Sequence, residues 1–200
     1  MGKVVADISM SLDGFVTGPD PGLEHGLGIG GEALHTWALE SDDPVDSDVL
    51  RKATAATGAV VMGRRLFDVI DGPLGWSDDM GYGAGLAAKP PFFVVTHEPP
   101  PQVRLGLDFT FVTDGLDVAV DQARAAAGDK DAVVMGGGDV VRQCVEAGLI
   151  DELRIHLAPV VLGSGTPLFA ASPRLELVQR SVRVSEVATH LVYALGPGQG

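Results

Sequence analysis

The chain has 200 residues, 14 Lys and Arg against 27 Asp and Glu for a formal charge of −13, and a hydrophobic content of 46%. That length suits one domain, residues 1–200, built on a single large core, and the apolar content is too high for a disordered chain. The acidic balance argues against nucleic acid or an anionic membrane surface as a partner, since both repel a negative protein without a basic run.

A lone Cys144 excludes an internal disulfide, and no CxxC or Cys/His cluster suggests zinc. Asp7 interrupts the first apolar run before a signal-peptide core forms, so a cytoplasmic protein is expected. Residues 4–10 are apolar and partly β-branched and read as a buried strand that leaves through Ser11-Leu12-Asp13-Gly14. Residues 18–31, packed with Gly, Pro and Asp, form a long loop of the kind that often carries function. Helices are expected at 32–40 and 46–57, the second opening on Asp46, Ser47 and Asp48, which suit the cap and first turn of a helix.

Residues 59–62 are a buried strand running into Gly63-Arg64-Arg65 and a short helix to about Val69. A second long loop, 71–91, carries Trp76 and Tyr82, aromatics that either line a pocket for a planar ligand or pin the loop to the core. Strands at 91–96 and 109–112 and a helix at 117–127, stopped by Gly128, come next. Residues 132–135 are a buried strand, Gly136-Gly137-Gly138 a turn, and 139–147 a helix ending at Gly148. The rest reads as strand: 149–162, then 175–184 and 187–195 as an antiparallel hairpin, although Ser185-Glu186 lacks the Gly or Asn that a tight hairpin turn prefers. Strands alternating with helices imply an α/β, largely parallel sheet covered on both faces, with an antiparallel edge, binding ligands at the carboxyl ends of its strands.

Two strand exits carry the chemical signal. At Gly136-Gly137-Gly138-Asp139-Val140 the glycines let backbone N–H groups approach a phosphate at a helix N-terminus, or simply make a tight turn. No Lys-Ser/Thr follows and the pattern is not GxGxxG, so neither a Walker loop nor the usual dinucleotide fingerprint is present. At Gly63-Arg64-Arg65 two cations sit on a helix first turn, where the dipole disfavours them unless an anion lies above. Together the exits suit the two ends of a pyrophosphate-containing cofactor.

Asp13 is the ionisable residue in the first strand's exit turn, either a carboxylate near the reacting ring or an Asp-Gly turn bonding its own backbone. His25, His35, His97, His156 and His190 show no metal spacing and no nucleophile motif, which removes hydrolase and metalloenzyme readings. His97 stands out because Thr96-His97 ends a strand.

These motifs, with Phe93-Val94-Val95-Thr96, Ile150-Asp151-Glu152-Leu153 and the run Pro159-Val160-Val161-Leu162-Gly163-Ser164-Gly165-Thr166-Pro167-Leu168-Phe169, resemble the dihydrofolate reductase-like superfamily. The similar branch is the C-terminal reductase domain of the bifunctional riboflavin-biosynthesis deaminase-reductase, with matching order from Lys3 to Leu195. The resemblance implies a mixed, mostly parallel eight-stranded sheet flanked by helices, an NADPH-dependent reductase, a small-molecule substrate and a homodimer. It implies that Gly63, Arg64 and Arg65 contact the cofactor phosphates, that Thr96 and His97 lie by the adenosine 2′-phosphate, and that Gly136, Gly137, Gly138, Asp139 and Val140 hold the pyrophosphate. It also implies that backbone around Ile8, Ser9 and Val16 meets the nicotinamide. The Pro-Trp and the pterin-facing helical acid of folate reductases have no evident counterpart, which disfavours dihydrofolate. No deaminase half with zinc-binding His and Cys residues is expected here.

The expected activity is hydride transfer from NADPH to a C=N or C=O bond of a pyrimidine- or pteridine-like heterocycle, akin to 5-amino-6-(5-phosphoribosylamino)uracil reduction. Asp13 or a bound water would supply the proton. The competing expectation is a nucleotide- or flavin-binding module without turnover on the same fold.

Overall fold

The first strand, β1 (Val4–Ser11), is buried on both faces, with Val4, Val5 and Ala6 fully buried, and so takes the middle of a sheet. After it come β2 (Phe15–Thr17), a 3-10 turn at Gly31–His35, α1 (Thr36–Leu39), α2 (Pro44–Ala56), β3 (Thr57–Gly63) and α3 (Arg64–Asp71). The remainder is β4 (Phe92–Val95), β5 (Phe109–Val112), α4 (Leu116–Ala127), β6 (Asp131–Met135), α5 (Gly138–Glu146), β7 (Glu152–Ala158), β8 (Thr166–Pro167), β9 (Leu177–Val184) and β10 (Thr189–Leu195). This computed structural model describes residues 2–77, 80–83, 89–170, 172 and 174–195; parts of the expected 71–91 loop lie outside them.

Eight strands form one sheet in the order β5-β4-β3-β6-β1-β7-β10-β9. The first six run parallel, and β10 pairs antiparallel with both β7 and β9, so the expected mostly parallel sheet with a closing hairpin is present. One face packs Val4, Ala6, Val61 and Val134 under α4 and α5, through Ala119, Ala123, Val141 and Cys144. The other face packs Val60, Met62, Phe92 and Val94 under Phe67 and Ile70 of α3.

Three expectations need correction. The strand at 149–162 is shorter, Glu152–Ala158, because the chain leaves the sheet at Pro159 and turns at Gly163 and Gly165, whose φ of 75° and 140° suit glycine. Thr166–Pro167 then pairs with Phe15–Thr17 in a second, two-stranded sheet. The helix at 32–40 divides into the 3-10 turn and the single turn of α1. Finally, the cap of α2 is Asp43, whose carboxylate accepts from the Val45 N–H at 2.7 Å, and Asp46 turns into the core, fully buried.

The hairpin turn closes without Gly or Asn because the Ser185 hydroxyl accepts from the Val187 and Ala188 N–H groups. Trp76 and Tyr82 pin their loop: Trp76 meets Phe92 edge-on at 6.1 Å, and the Tyr82 hydroxyl lies 2.9 Å from Thr57 Oγ1.

Candidate active site

β6 lies between β3 and β1, and its last pair with β1 is Asp7 with Met135. β1 continues along β7 to Ser11 opposite Ala158, so its edge from Ile8 onward has no β6 partner and a crevice opens at the carboxyl ends. The Ile8 side chain is in the core and the Ser9 hydroxyl accepts from Trp37 Nε1 at 2.9 Å, which leaves backbone as what these residues offer the crevice. Val16 is buried beside α5: a Cβ placed on Gly138 would lie 2.8 Å from Val16 Cγ2.

Gly136 and Gly137 adopt φ of 60° and 74°, and a Cβ on Gly137 would meet nothing within 4 Å. The Val140 and Val141 N–H groups donate to the Gly137 carbonyl, while those of Gly138 and Asp139 precede any intrahelical acceptor, so a short cradle of donors sits at this exit. Gly63 is drawn close to the same helix, since its Cβ would lie 2.7 Å from Val140 Cγ2.

Arg64 bonds Asp68 at 2.7 Å through Nε and reaches the Glu98 carbonyl and Thr96 Oγ1 through Nη1 at 2.5 and 3.4 Å. Arg65 points outward, its side chain 95% exposed, 3.5 Å from Asp139, which Arg142 also approaches at 3.5 Å. Asp139 is thereby flanked by two cations and does not face an incoming phosphate as a bare charge. His97 is exposed beside Thr96. Strands β4, β3 and β6 are neighbours in the sheet, so the exits that carry Thr96, then Gly63, Arg64 and Arg65, then Gly136, Gly137, Gly138, Asp139 and Val140 stand side by side. An extended diphosphate cofactor fits this arrangement, which offers an open glycine cradle with arginine on the neighbouring exit.

Asp13 is otherwise engaged. Its carboxylate accepts from the N–H groups of Leu162 and Gly163 at 3.1 and 2.7 Å and from the Ser11 hydroxyl at 2.6 Å. The Ser11 bond, followed by these backbone N–H groups, holds its carboxyl below the ordinary range despite some burial, so it is kept ionised and fastens two loops.

The ionisable groups that do converge lie on the α2 side of the sheet, and the sequence pattern did not single them out. His156 Nε2 is 2.9 Å from Asp7 Oδ1, His156 Nδ1 is 2.8 Å from His190 Nδ1, and His190 Nε2 is 2.6 Å from Asp46 Oδ1. Asp46 also accepts from the Ser41 hydroxyl at 2.5 Å. The register explains the meeting: His156 pairs with Ser9 on one side and with His190 on the other, and Asp7 shares the Ser9 face one pleat away.

Trp37 covers both rings, with centroids 4.1 Å from His156 and 5.1 Å from His190. Burial opposes charge on Asp7, but His156 and Arg154 outweigh it and hold the carboxyl low. Burial is likewise outweighed at Asp46, by hydrogen bonds from Ser41 and His190. At His190 burial wins over Asp46 and pushes the imidazole down. The missed signal was alternation: Asp7 and Ser9 in β1, and Arg154 and His156 in β7, are polar at every second position of strands otherwise built for a core.

A cleft of about 280 Å³ opens between α2 and strands β7, β10 and β9, lined by Asp7, Arg154 and His156 and floored by Ala53 and Val192. Arg154 bonds Glu152 and Asp131 through Nε and Nη2.

The sequence profile of the RibD C-terminal domain matches residues 2–193. The uncharacterized protein YyaP of Bacillus subtilis (strain 168) is 22% identical over 173 residues, covering 84% of this chain and 80% of its own. Among solved structures, a protein named for riboflavin biosynthesis from Shewanella sp. PV-4 superposes with a TM-score of 0.70 at 21% identity, covering 98% of this chain and 99% of its own. A pyrimidine reductase-like protein from Corynebacterium diphtheriae gives 0.66 at 17% identity over 98% and 93% of the two chains. RibD of Acinetobacter baumannii gives 0.65 at 15% identity, and there the 98% of this chain that aligns spans 59% of the larger protein.

Proposed function

The chain belongs to the RibD C-terminal domain family, and from that premise we propose that it is an NADPH-dependent reductase acting on a C=N or C=O bond of a small pyrimidine- or pteridine-like heterocycle. The observation that carries the reading is the open cradle at Gly137, set beside the arginine-bearing exit of β3 and the unpaired edge of β1. A reduced nicotinamide, when bound, supplies the hydride. The protein's share is to fix the cofactor: Gly136, Gly137 and Gly138 with the α5 N-terminus take the pyrophosphate, and Val140 packs the cradle against Gly63. Arg64 with Thr96 and His97 reads the 2′-phosphate, Arg65 and Arg142 hold Asp139 away from the cofactor charge, and backbone at Ile8 and Ser9 beside Val16 orients the amide. Holding reactants in register is the main contribution asked of such a site.

We also propose that the protein works in the cytoplasm as a single domain and assembles as a homodimer through β9, an eight-residue edge strand with Val178, Val182 and Val184 exposed. Titration with NADPH, followed by loss of its absorbance with a panel of aminopyrimidines and pteridines, tests the reading. Tight binding with no oxidation by any of them would favour a nucleotide-binding module instead.

A further inference from the structure

The hydrogen-bond chain Asp7, His156, His190, Asp46 has a proton content that its geometry dictates. Three contacts of 2.6–2.9 Å join four groups, and each needs one proton. Two ionised carboxylates and two neutral imidazoles bring only two. A third therefore sits on the chain in any tautomer: between the two Nδ1 atoms, or on a carboxyl with the rings protonated to match. Without it one of the three contacts would set lone pairs against each other, nitrogen on nitrogen at 2.8 Å or nitrogen on carboxylate at 2.6–2.9 Å, beside imidazoles only 4% exposed.

The surroundings favour one extra proton and resist a second. The carboxylates stand at the two ends, and burial works against doubly charging the pair. The charged and titratable groups nearby come from every neighbouring element: His35 from the 3-10 turn, Asp48 and Lys52 from α2, Arg154 from β7 and Arg183 from β9. Asp48 is occupied by Lys52 and Arg183, and Arg154 by Glu152 and Asp131, so these pairs balance one another locally.

The chain opens on the 280 Å³ cleft, which Asp7, His156 and His190 all line. Of its four groups Asp7 is the most exposed, at 14%, against 4% for both imidazoles and a fully buried Asp46. Asp7 is moreover the residue at which β1 parts from β6, at the floor of the crevice proposed for the cofactor.

We propose that this chain stores the proton consumed in the reduction and that Asp7 is its outlet, the side chain that meets the substrate in the cleft, with His156, His190 and Asp46 as positioning residues behind it. The proposal rests on the reductase reading. Reduction of a C=N bond puts a hydride from the reduced nicotinamide on carbon, moves the bond's electron pair to nitrogen, and requires one proton there. The resting Asp7 carboxylate takes the Nε2 proton of His156, and its new O–H bond breaks as the substrate N–H bond forms. His156 and His190 pass their shared proton toward Asp7, and water in the cleft restores the third proton after product leaves.

Trp37, its ring centroid 4.1 Å from that of His156 and tilted 33° to it, reports the imidazole's charge, because an imidazolium quenches indole emission. In a Trp76→Phe background, Trp37 emission is expected to be quenched at neutral pH, to recover as the pH is raised, and to recover at a lower pH in Asp7→Asn. Emission unquenched at neutral pH and unchanged by Asp7→Asn overturns the store. With NADPH and an aminopyrimidine or pteridine that the parent protein reduces, Asp7→Asn should keep NADPH affinity, lose turnover on the order of a hundredfold and flatten the pH profile. Turnover and pH profile equal to the parent's overturn the outlet. A parent protein that binds NADPH and reduces none of the probes overturns the reductase reading and the use of the proton with it, while the Trp37 titration independently decides whether the chain holds one.

Discussion

Asp13 accepts the backbone N–H of Gly163 at 2.7 Å across 150 residues of sequence. With the Leu162 N–H and the Ser11 hydroxyl on the same carboxylate, it joins the exit of β1 to the loop that follows β7. Asp13→Ala should lower the thermal midpoint and expose the 159–165 loop to protease while leaving the pH dependence of any turnover unchanged. A shifted pH profile, with stability intact, would restore Asp13 as the proton donor.

Gly137→Val tests the cradle. The φ of 74° costs an L-residue roughly 1–2 kcal/mol, and its side chain would occupy the open space above the α5 N-terminus. The variant is expected to fold, by circular dichroism, and to bind NADPH at least about tenfold more weakly, a loss of about 1.4 kcal/mol. Unchanged affinity in a folded variant would reduce the three glycines to a turn.

The two arginines should behave differently. Arg64 reaches Thr96 and Glu98 at the exit of β4, whereas Arg65 stands by Asp139 at the start of α5. Arg64→Ala should therefore cut the preference for NADPH over NADH by about tenfold or more, since a charge-assisted bond to phosphate contributes roughly 1.5–3 kcal/mol. Arg65→Ala should weaken both cofactors alike. Calorimetry at low salt measures both, and His97→Ala separates the imidazole's share through its fading above neutral pH.

His35 gives the fold an acid sensitivity. Burial, with a smaller push from the charge of His156, lowers its imidazole to about 4, and its Nδ1 has no hydrogen-bond partner among the described residues. Between pH 6.5 and that lowered value the unfolded chain binds the proton and the folded chain does not. The stability His35 contributes is thus present above about pH 6.5 and is lost as pH falls toward 4, by about 3 kcal/mol in all. Denaturant titrations at a series of pH values should show this slope, and His35→Phe should flatten it.

How far the sequence speaks depends on which periodicity a residue obeys. Strands β3, β4 and β6 are short apolar runs punctuated by glycine or by a polar exit, and they were legible for that reason, as were the Gly63 and Gly136–Gly138 junctions. The chain Asp7, His156, His190, Asp46 was not, because its partners lie 34 to 149 residues apart and come together only through strand register. Asp46 looked like a cap because the helix start was placed two residues late; at roughly 100° per residue that shift is about half a turn, which separates an acid in solvent from one in the core. The β2–β8 pairing also escaped notice, since Phe15–Thr17 is too short to show a period and its partner includes a proline.

The central place of β1 has a cost during biosynthesis. It leaves the ribosome first, yet its partners are residues 132–135 on one side and 152–158 on the other. At the usual ~5–20 residues per second, both edges of this buried strand wait roughly 6–25 s before either neighbour exists. The nascent chain must shelter Val4–Ser11 throughout that interval, by transient collapse or by a chaperone. Translation rate, which alters no contact in the finished molecule, should therefore govern how much of it reaches the native state.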